Sequence, residues 1–231
     1  MRLFSEAGCH SMTVSELAAA LRSGRDLHPR TVLITFDDGL QDFATGAMPV
    51  LQRYGLSATL YVVSGCVGGQ SHWLAPLGEG NRPMLTWEEL SNVRAAGIEI
   101  GAHTMSHPQL DILNPAQAQK EISLSKSVLE NGLGALILSF AYPHGYASAT
   151  TRMLVRKAGF TSACRVRHAL SSQDEDCYAL SRIIMTRDMD DDYILKLLGG
   201  SGLPVAPPID RLAADGWRLV RRIQHLRGAA T

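Results

Sequence analysis

The sequence predicts an α/β fold built on a parallel sheet that closes wholly or partly into a barrel. Three observations carry that prediction. One unit recurs along the chain: an amphipathic helix, a glycine, then a short apolar strand. The strands are continuous apolar runs, the pattern of a sheet buried on both faces. No G-x-G-x-x-G phosphate loop follows any of them, which favours a barrel over an open dinucleotide-binding sheet.

The elements can be justified in order. Thr13-Val14-Ser15-Glu16 fits a capping box and opens a helix. A strand is expected over Thr31-Val32-Leu33-Ile34-Thr35-Phe36. The first full unit runs from Pro49 to Gly55 and enters a strand over Ala58 to Val63. Ser64 to Leu85, with Gly68-Gly69, Trp73 and Pro76, reads as a long loop, and such loops in compact domains are often functional. Thr86-Trp87-Glu88-Glu89 is a second capping box, leading through Leu90 to Gly97 into a strand over Ile98 to Ala102. Asn114-Pro115 fits an N-cap followed by proline at N1. That helix ends at Gly132 or Gly134 and feeds a strand over Leu136 to Phe140. Met153 to Gly159 leads into Phe160 to Cys164, and Ala179 to Met185 is a weaker strand. Glycine just past each helix relieves left-handed strain there.

The expected domain spans residues 1–199. Gly199 to Pro208 has a linker composition, and Arg211 to Arg227 forms an amphipathic pattern within a 200–231 tail. Leu212, Leu219, Val220, Ile223 and Leu226 share one face, with Arg218, Arg221 and Arg222 largely opposite. Such a helix suits packing on the barrel, homo-oligomer formation through a second subunit, or docking at a partner or membrane surface.

Composition excludes several classes. The 231 residues carry 22 Lys+Arg and 22 Asp+Glu, a balance that argues against nucleic-acid binding by phosphate neutralisation. No run approaches the roughly 20 apolar residues of a membrane span. The first residues include Glu6 and lack an apolar core segment, so no signal peptide is read and a cytoplasmic location is expected. Cys9, Cys66, Cys164 and Cys177 are scattered without a C-x-x-C pair, which favours reduced thiols. A Cys164–Cys177 disulfide is the alternative for an exported protein.

Two clusters carry chemistry. Asp37-Asp38-Gly39 follows the Thr31–Phe36 strand, and His103-Thr104-Met105-Ser106-His107 follows the Ile98–Ala102 strand. Parallel α/β folds collect their chemistry at the carboxyl ends of strands. Either cluster alone is ordinary, a helix-capping acid or a pair of surface histidines. Together at strand ends they make a His2Asp metal site with one carboxylate to spare, and a hydrolase needs that spare carboxylate as a base. No G-x-S-x-G elbow is present for a serine hydrolase.

Thr35-Phe36-Asp37-Asp38-Gly39 and His103-Thr104-Met105-Ser106-His107 resemble the first two motifs of the polysaccharide deacetylases, carbohydrate esterase family four. Phe140-Ala141-Tyr142-Pro143-His144-Gly145 resembles the third, and the likeness extends roughly from Thr13 to Leu198. It implies a distorted or partly open (β/α) barrel of about seven parallel strands. It also implies metal-dependent removal of acetyl groups from an N-acetylated polysaccharide or oligosaccharide. By position, Asp37 is the general base. Asp38, His103 and His107 are the ligands of a divalent metal ion, zinc first. Tyr142, Pro143 and His144 line the substrate groove, with a backbone N–H near His144 on the oxyanion. Trp73 joins them as a ring suited to stacking on sugar faces.

The chain departs from the family pattern in three places. Ala141 stands where the groove arginine is usual, and His144 where an aromatic residue is. The late Leu-x-His motif that supplies the general acid has no match between Arg187 and Leu198. Arg182, on a neighbouring strand, is the candidate to orient the base. His144 is the candidate acid, ahead of His168 and His72. Two other readings stay open: hydrolysis of another non-peptide C–N amide bond on a small molecule, and a non-catalytic, metal-retaining glycan-binding protein.

Overall fold

A computed structural model describes residues 1–207. The helix expected over Arg211 to Arg227 and most of the 200–231 tail lie outside the described residues. The chain opens with helix α1 (Arg2–Glu6) and a short strand β1 (His10–Ser11). Helix α2 (Val14–Ser23) starts at the expected box: Thr13 caps the Glu16 amide and the Glu16 carboxylate returns to the Thr13 amide.

The strand expected over Thr31 to Phe36 is two strands, β2 (Thr31–Val32) and β3 (Thr35–Phe36). The break at Leu33-Ile34 lets the chain change partners. β2 pairs with β1 in a separate two-stranded sheet, whereas β3 begins the main one. A π-helical turn over Phe43–Ala47 precedes α3 (Met48–Arg53) and β4 (Thr59–Val62). Then come α4 (Trp87–Ala95), β5 (Glu99–Ala102), α5 (Pro115–Leu133) and β6 (Ser139–Ala141). The last elements are α6 (Ala149–Lys157), β7 (Ser162–Val166), β8 (Leu180–Arg182) and α7 (Asp191–Leu198).

The main sheet is all parallel in the order β3-β4-β5-β6-β7-β8. It has six strands rather than about seven, and it curls so that its two edges face each other. The gap is crossed by a side chain instead of a ladder: Arg182 on β8 donates to Thr35 Oγ1 on β3 at 3.1 Å. This is the distorted, partly open (β/α) barrel that the sequence predicts.

Strand alternation sorts the core into two layers. Leu60 and Val62 of β4 and Phe140 of β6 point outward, into a layer shared with Leu90, Val93, Ile122 and Leu129 of the helices. Tyr61 and Ala141 point inward and meet Cys164, Leu180, Val14 and Leu17. Each fully buried aliphatic chain contributes about 1.5–3 kcal/mol, so the outer layer dominates stability. Gly134, at φ 58°, is the residue that ends α5. Gly132 serves packing, because a Cβ there would collide with the Trp87 ring. All four cysteines are free, and no helix among the described residues is long and apolar enough to cross a membrane.

Candidate active site

Asp37 and Asp38 follow β3 directly, and His103 follows β5. Parallel strands two apart in the sheet thus deliver both clusters to one end. The Asp38 backbone is left-handed at φ 78°, and its carbonyl accepts from Val63 N–H at 3.2 Å. That contact ties the turn to the end of β4. Gly39 is also left-handed, and a Cβ on it would press against Val62 at 3.1 Å.

Asp38 Oδ1 lies 3.6 Å from His103 Nε2 and 3.3 Å from His107 Nε2. One donor atom from each of the three residues falls within 4.8 Å of the others. Ligands about 2.0–2.1 Å from a tetrahedral zinc stand about 3.3 Å apart, so these spacings fit such an ion. The donor set fits as well, being two imidazoles and a carboxylate. His103 Nδ1–H donates to the Ala141 carbonyl at 2.8 Å, which fixes its tautomer and turns its Nε2 lone pair toward Asp38. Thr104 Oγ1 holds the backbone of the second histidine, accepting from His107 N–H at 3.0 Å.

Asp37 has a different partner. Arg182 Nη1 and Nη2 donate to its two carboxylate oxygens at 2.5 and 2.8 Å. The same guanidinium lies over the Tyr61 ring at 5.5 Å. Ala141 belongs to the interior cluster that contains Tyr61. A small residue at that position is compatible with an arginine entering the interior from β8.

The electrostatics of the two neighbouring carboxylates diverge. Burial raises the Asp37 pKa, but Arg182 and then His103 pull it down further, to a net value of about 2. Asp38 is raised, chiefly by burial, with Asp37 adding repulsion against the pull of His103. Paired carboxylates whose environments push their pKa values apart can take different chemical roles. Burial, then repulsion from His103 and His144, lowers His107 to about 3, so its imidazole is neutral and available as a ligand at neutral pH.

The rim is only partly as expected. The His144 ring stands 4.9 Å from the His107 ring, on a residue with φ 57°. It is exposed, and burial of its inner edge followed by His103 lowers its pKa, while buried Asp111 opposes that shift. Trp73 stacks on His107 with centroids 5.1 Å apart. Its loop is pinned beside the Asp37-Asp38-Gly39 turn by the Leu40–Met84 bridge and closed on itself by the Gln70–Pro83 bridge.

Tyr142 and Pro143 are corrections. The strand period that sends Phe140 outward sends Tyr142 with it, into the helix layer, where its hydroxyl donates to the Tyr178 carbonyl at 2.9 Å. Pro143 is buried beneath the turn. Neither side chain lines a groove. His168 and His72 are exposed, and among the described residues no ring contact joins either to the cluster. Sequence reasoning missed Asp111, whose only signal is its place four residues after His107. It also missed the Ala141 carbonyl, for which a sequence offers no signal.

A family model described as polysaccharide deacetylase matches residues 24–163. The chain is 29% identical over 189 residues to the putative polysaccharide deacetylase YxkH of Bacillus subtilis (strain 168), covering 82% of this chain and 63% of that protein. It is 23% identical over 186 residues to the poly-beta-1,6-N-acetyl-D-glucosamine N-deacetylase of Staphylococcus aureus (strain MRSA252), covering 77% and 61%. The chain therefore spans about three fifths of the length of these relatives. Among solved structures it is similar to the Streptococcus pyogenes deacetylase PplD in complex with acetate, at TM-score 0.74 and 24% identity over 85% of this chain and 83% of that one. The de-N-acetylase from Aggregatibacter actinomycetemcomitans gives TM-score 0.71 at 15% identity over 84% and 85%. At such identities the structural likeness concerns the fold.

Proposed function

The chain belongs to the polysaccharide deacetylase family, and from that premise we propose that it hydrolyses the acetamide groups of an N-acetylated polysaccharide or oligosaccharide. In this reading Asp38, His103 and His107 hold a divalent metal ion, zinc first. The observation that carries it is the different treatment of two adjacent carboxylates: Asp38 approaches both imidazoles, while Asp37 is gripped by Arg182 and stands 3.9 Å from His103. A bound divalent ion supplies a Lewis acid and acidifies the attacking water.

The chain's own residues do the rest. Asp37, held ionised, accepts the proton of the water as it attacks the acyl carbon. The two-point grip of Arg182 fixes the plane of that carboxylate, which a lysine's single point charge cannot do. Expulsion of the sugar amine requires a proton, and His144 at the rim is the donor. In the turn at His144, the Gly145 N–H is committed to the Tyr142 carbonyl at 2.8 Å, which leaves the His144 amide as the donor toward the oxyanion. Trp73 walls the site, with its ring available to a sugar face.

The Staphylococcus aureus relative, named for poly-beta-1,6-N-acetyl-D-glucosamine, favours an N-acetylglucosamine polymer over an acetylated xylan. Acetate release from β-1,4- and β-1,6-linked N-acetylglucosamine oligomers, after chelation and after added metal, tests the reading. We expect acetate only with metal. Tight oligosaccharide binding without acetate points to a glycan-binding protein. Release only from small N-acetyl amides points to a different amidohydrolase.

A further inference from the structure

We infer that Glu121 is a positioning residue for the metal site, a carboxylate on α5 that clamps the loop bearing His103 and His107. The inference rests on the proposed role of those histidines. The loop is strained: Thr104 and His107 sit at φ 68° and 63°, in the left-handed region. A non-glycine residue in that region is strained and persists only where its surroundings over-determine it. Imidazole and carboxylate ligands must reach about 2.0–2.2 Å from a bound zinc ion, so whatever holds this backbone in place also governs metal affinity.

Glu121 supplies that hold with both oxygens. Oε2 accepts from Met105 N–H at 2.9 Å and from Ser106 N–H at 3.0 Å. Oε1 accepts from Ser106 Oγ at 2.8 Å. The carbonyl side of the same peptides is held by the chain leaving β4: Ser64 N–H donates to Thr104 O at 3.1 Å and Gly65 N–H to Met105 O at 3.0 Å. A Cβ on Gly65 would lie 2.5 Å from Met105 O, so that approach needs glycine. The loop is thus gripped by its N–H groups from α5 and by its C=O groups from the segment after β4. Glu121 is half-buried next to Ile122, a fully buried residue of the 19-residue α5, so the clamp rests on a rigid support.

Removing the carboxylate strips two adjacent peptide N–H groups of their acceptor and lets the loop relax away from its left-handed turns. Glutamine keeps the shape: its carbonyl oxygen accepts both N–H groups and its NH2 donates to Ser106 Oγ. The test is zinc affinity of the metal-stripped full chain, measured by competition with a chromophoric chelator, for wild type, Glu121→Gln and Glu121→Ala. Amide exchange at Met105 and Ser106 is measured alongside on the metal-free proteins. We expect Glu121→Ala to weaken zinc binding about 10–100-fold, as loss of a ligand's supporting partner does, and to speed exchange at both amides. Glu121→Gln should stay near wild type in both readouts. Should Glu121→Ala fail to fold, Glu121→Asp, one methylene too short to reach, replaces it. Zinc affinity in the alanine or aspartate variant within about threefold of wild type overturns the inference, as does equal weakening by glutamine. Wild type that binds no zinc overturns the proposed metal site itself.

Discussion

Arg182→Met keeps an unbranched stem over the Tyr61 ring and removes only the guanidinium. In the wild-type protein that group gives Asp37 hydrogen bonds of 2.5 and 2.8 Å and Thr35 one of 3.1 Å. Its charge is also the largest influence holding Asp37 at about 2 against burial. In the variant burial remains and the counter-charge is gone, so the Asp37 pKa rises. Two losses follow. A carboxylate freed to swing by about an ångström costs roughly 10²-fold in rate, or about 2.7 kcal/mol of transition-state stabilisation. A base that now protonates at higher pH moves the acid limb of the rate profile upward. Asp37 is 35% exposed, so water shields part of its charge, and stability falls by less than the ~3–5 kcal/mol of a fully buried broken pair. The assay is initial-rate acetate release by the metal-loaded protein from about pH 4 to about pH 9. Arg182→Lys should restore much of the acid limb while recovering little of the rate, because it returns the charge without the fork. A methionine variant within about threefold of wild-type kcat/KM, with an unmoved acid limb, refutes the reasoning.

His144→Ala should lower kcat by roughly 10²–10⁴ and abolish the alkaline limb; near-normal kcat with that limb intact rules His144 out as the donor. A second expectation concerns the metal-free protein. Burial first, then His103 and His144, lower the His107 pKa to about 3 from an ordinary 6.5. The unfolded chain therefore takes up this proton near 6.5 and the folded chain only near 3. The stability involved is intact above 6.5 and is lost as pH falls through that window, by at most about 1.4 kcal/mol per pH unit. Melting temperature against pH should fall less steeply there in His107→Gln; an identical slope removes His107 as the cause.

Much of this molecule was legible because local rules and the fold agree. The boxes at Thr13 and Thr86, the cap at Asn114 and the helix–glycine–strand units specify where helices start and stop. Strand-end placement brought Asp37-Asp38 and His103–His107 to one site, and Arg182 could be named because Ala141 stands where the family's groove arginine is usual and a neighbouring strand offers a replacement. The rest depends on partners far away in sequence. Thr31 to Phe36 reads as one strand because periodicity does not say that two different neighbours compete for it. The box at Ser148 was invisible because Thr151 replaces the usual Glu or Gln. Tyr142 reads as a groove residue until its pairing register fixes which side of β6 faces the helices. Glu121 looks like one more polar residue on a long helix, and only its three donors from the histidine loop give it a role.

The division of labour between Asp37 and Asp38 is tested most directly by metal content and turnover of Asp37→Asn measured on the same purified sample. Asparagine keeps the shape at position 37 and leaves Asp38, His103 and His107 untouched. We expect wild-type metal stoichiometry by elemental analysis together with loss of acetate release. An Asp37→Asn protein that loses its metal, or that keeps wild-type turnover, contradicts the assignment of Asp37 as base and Asp38 as ligand.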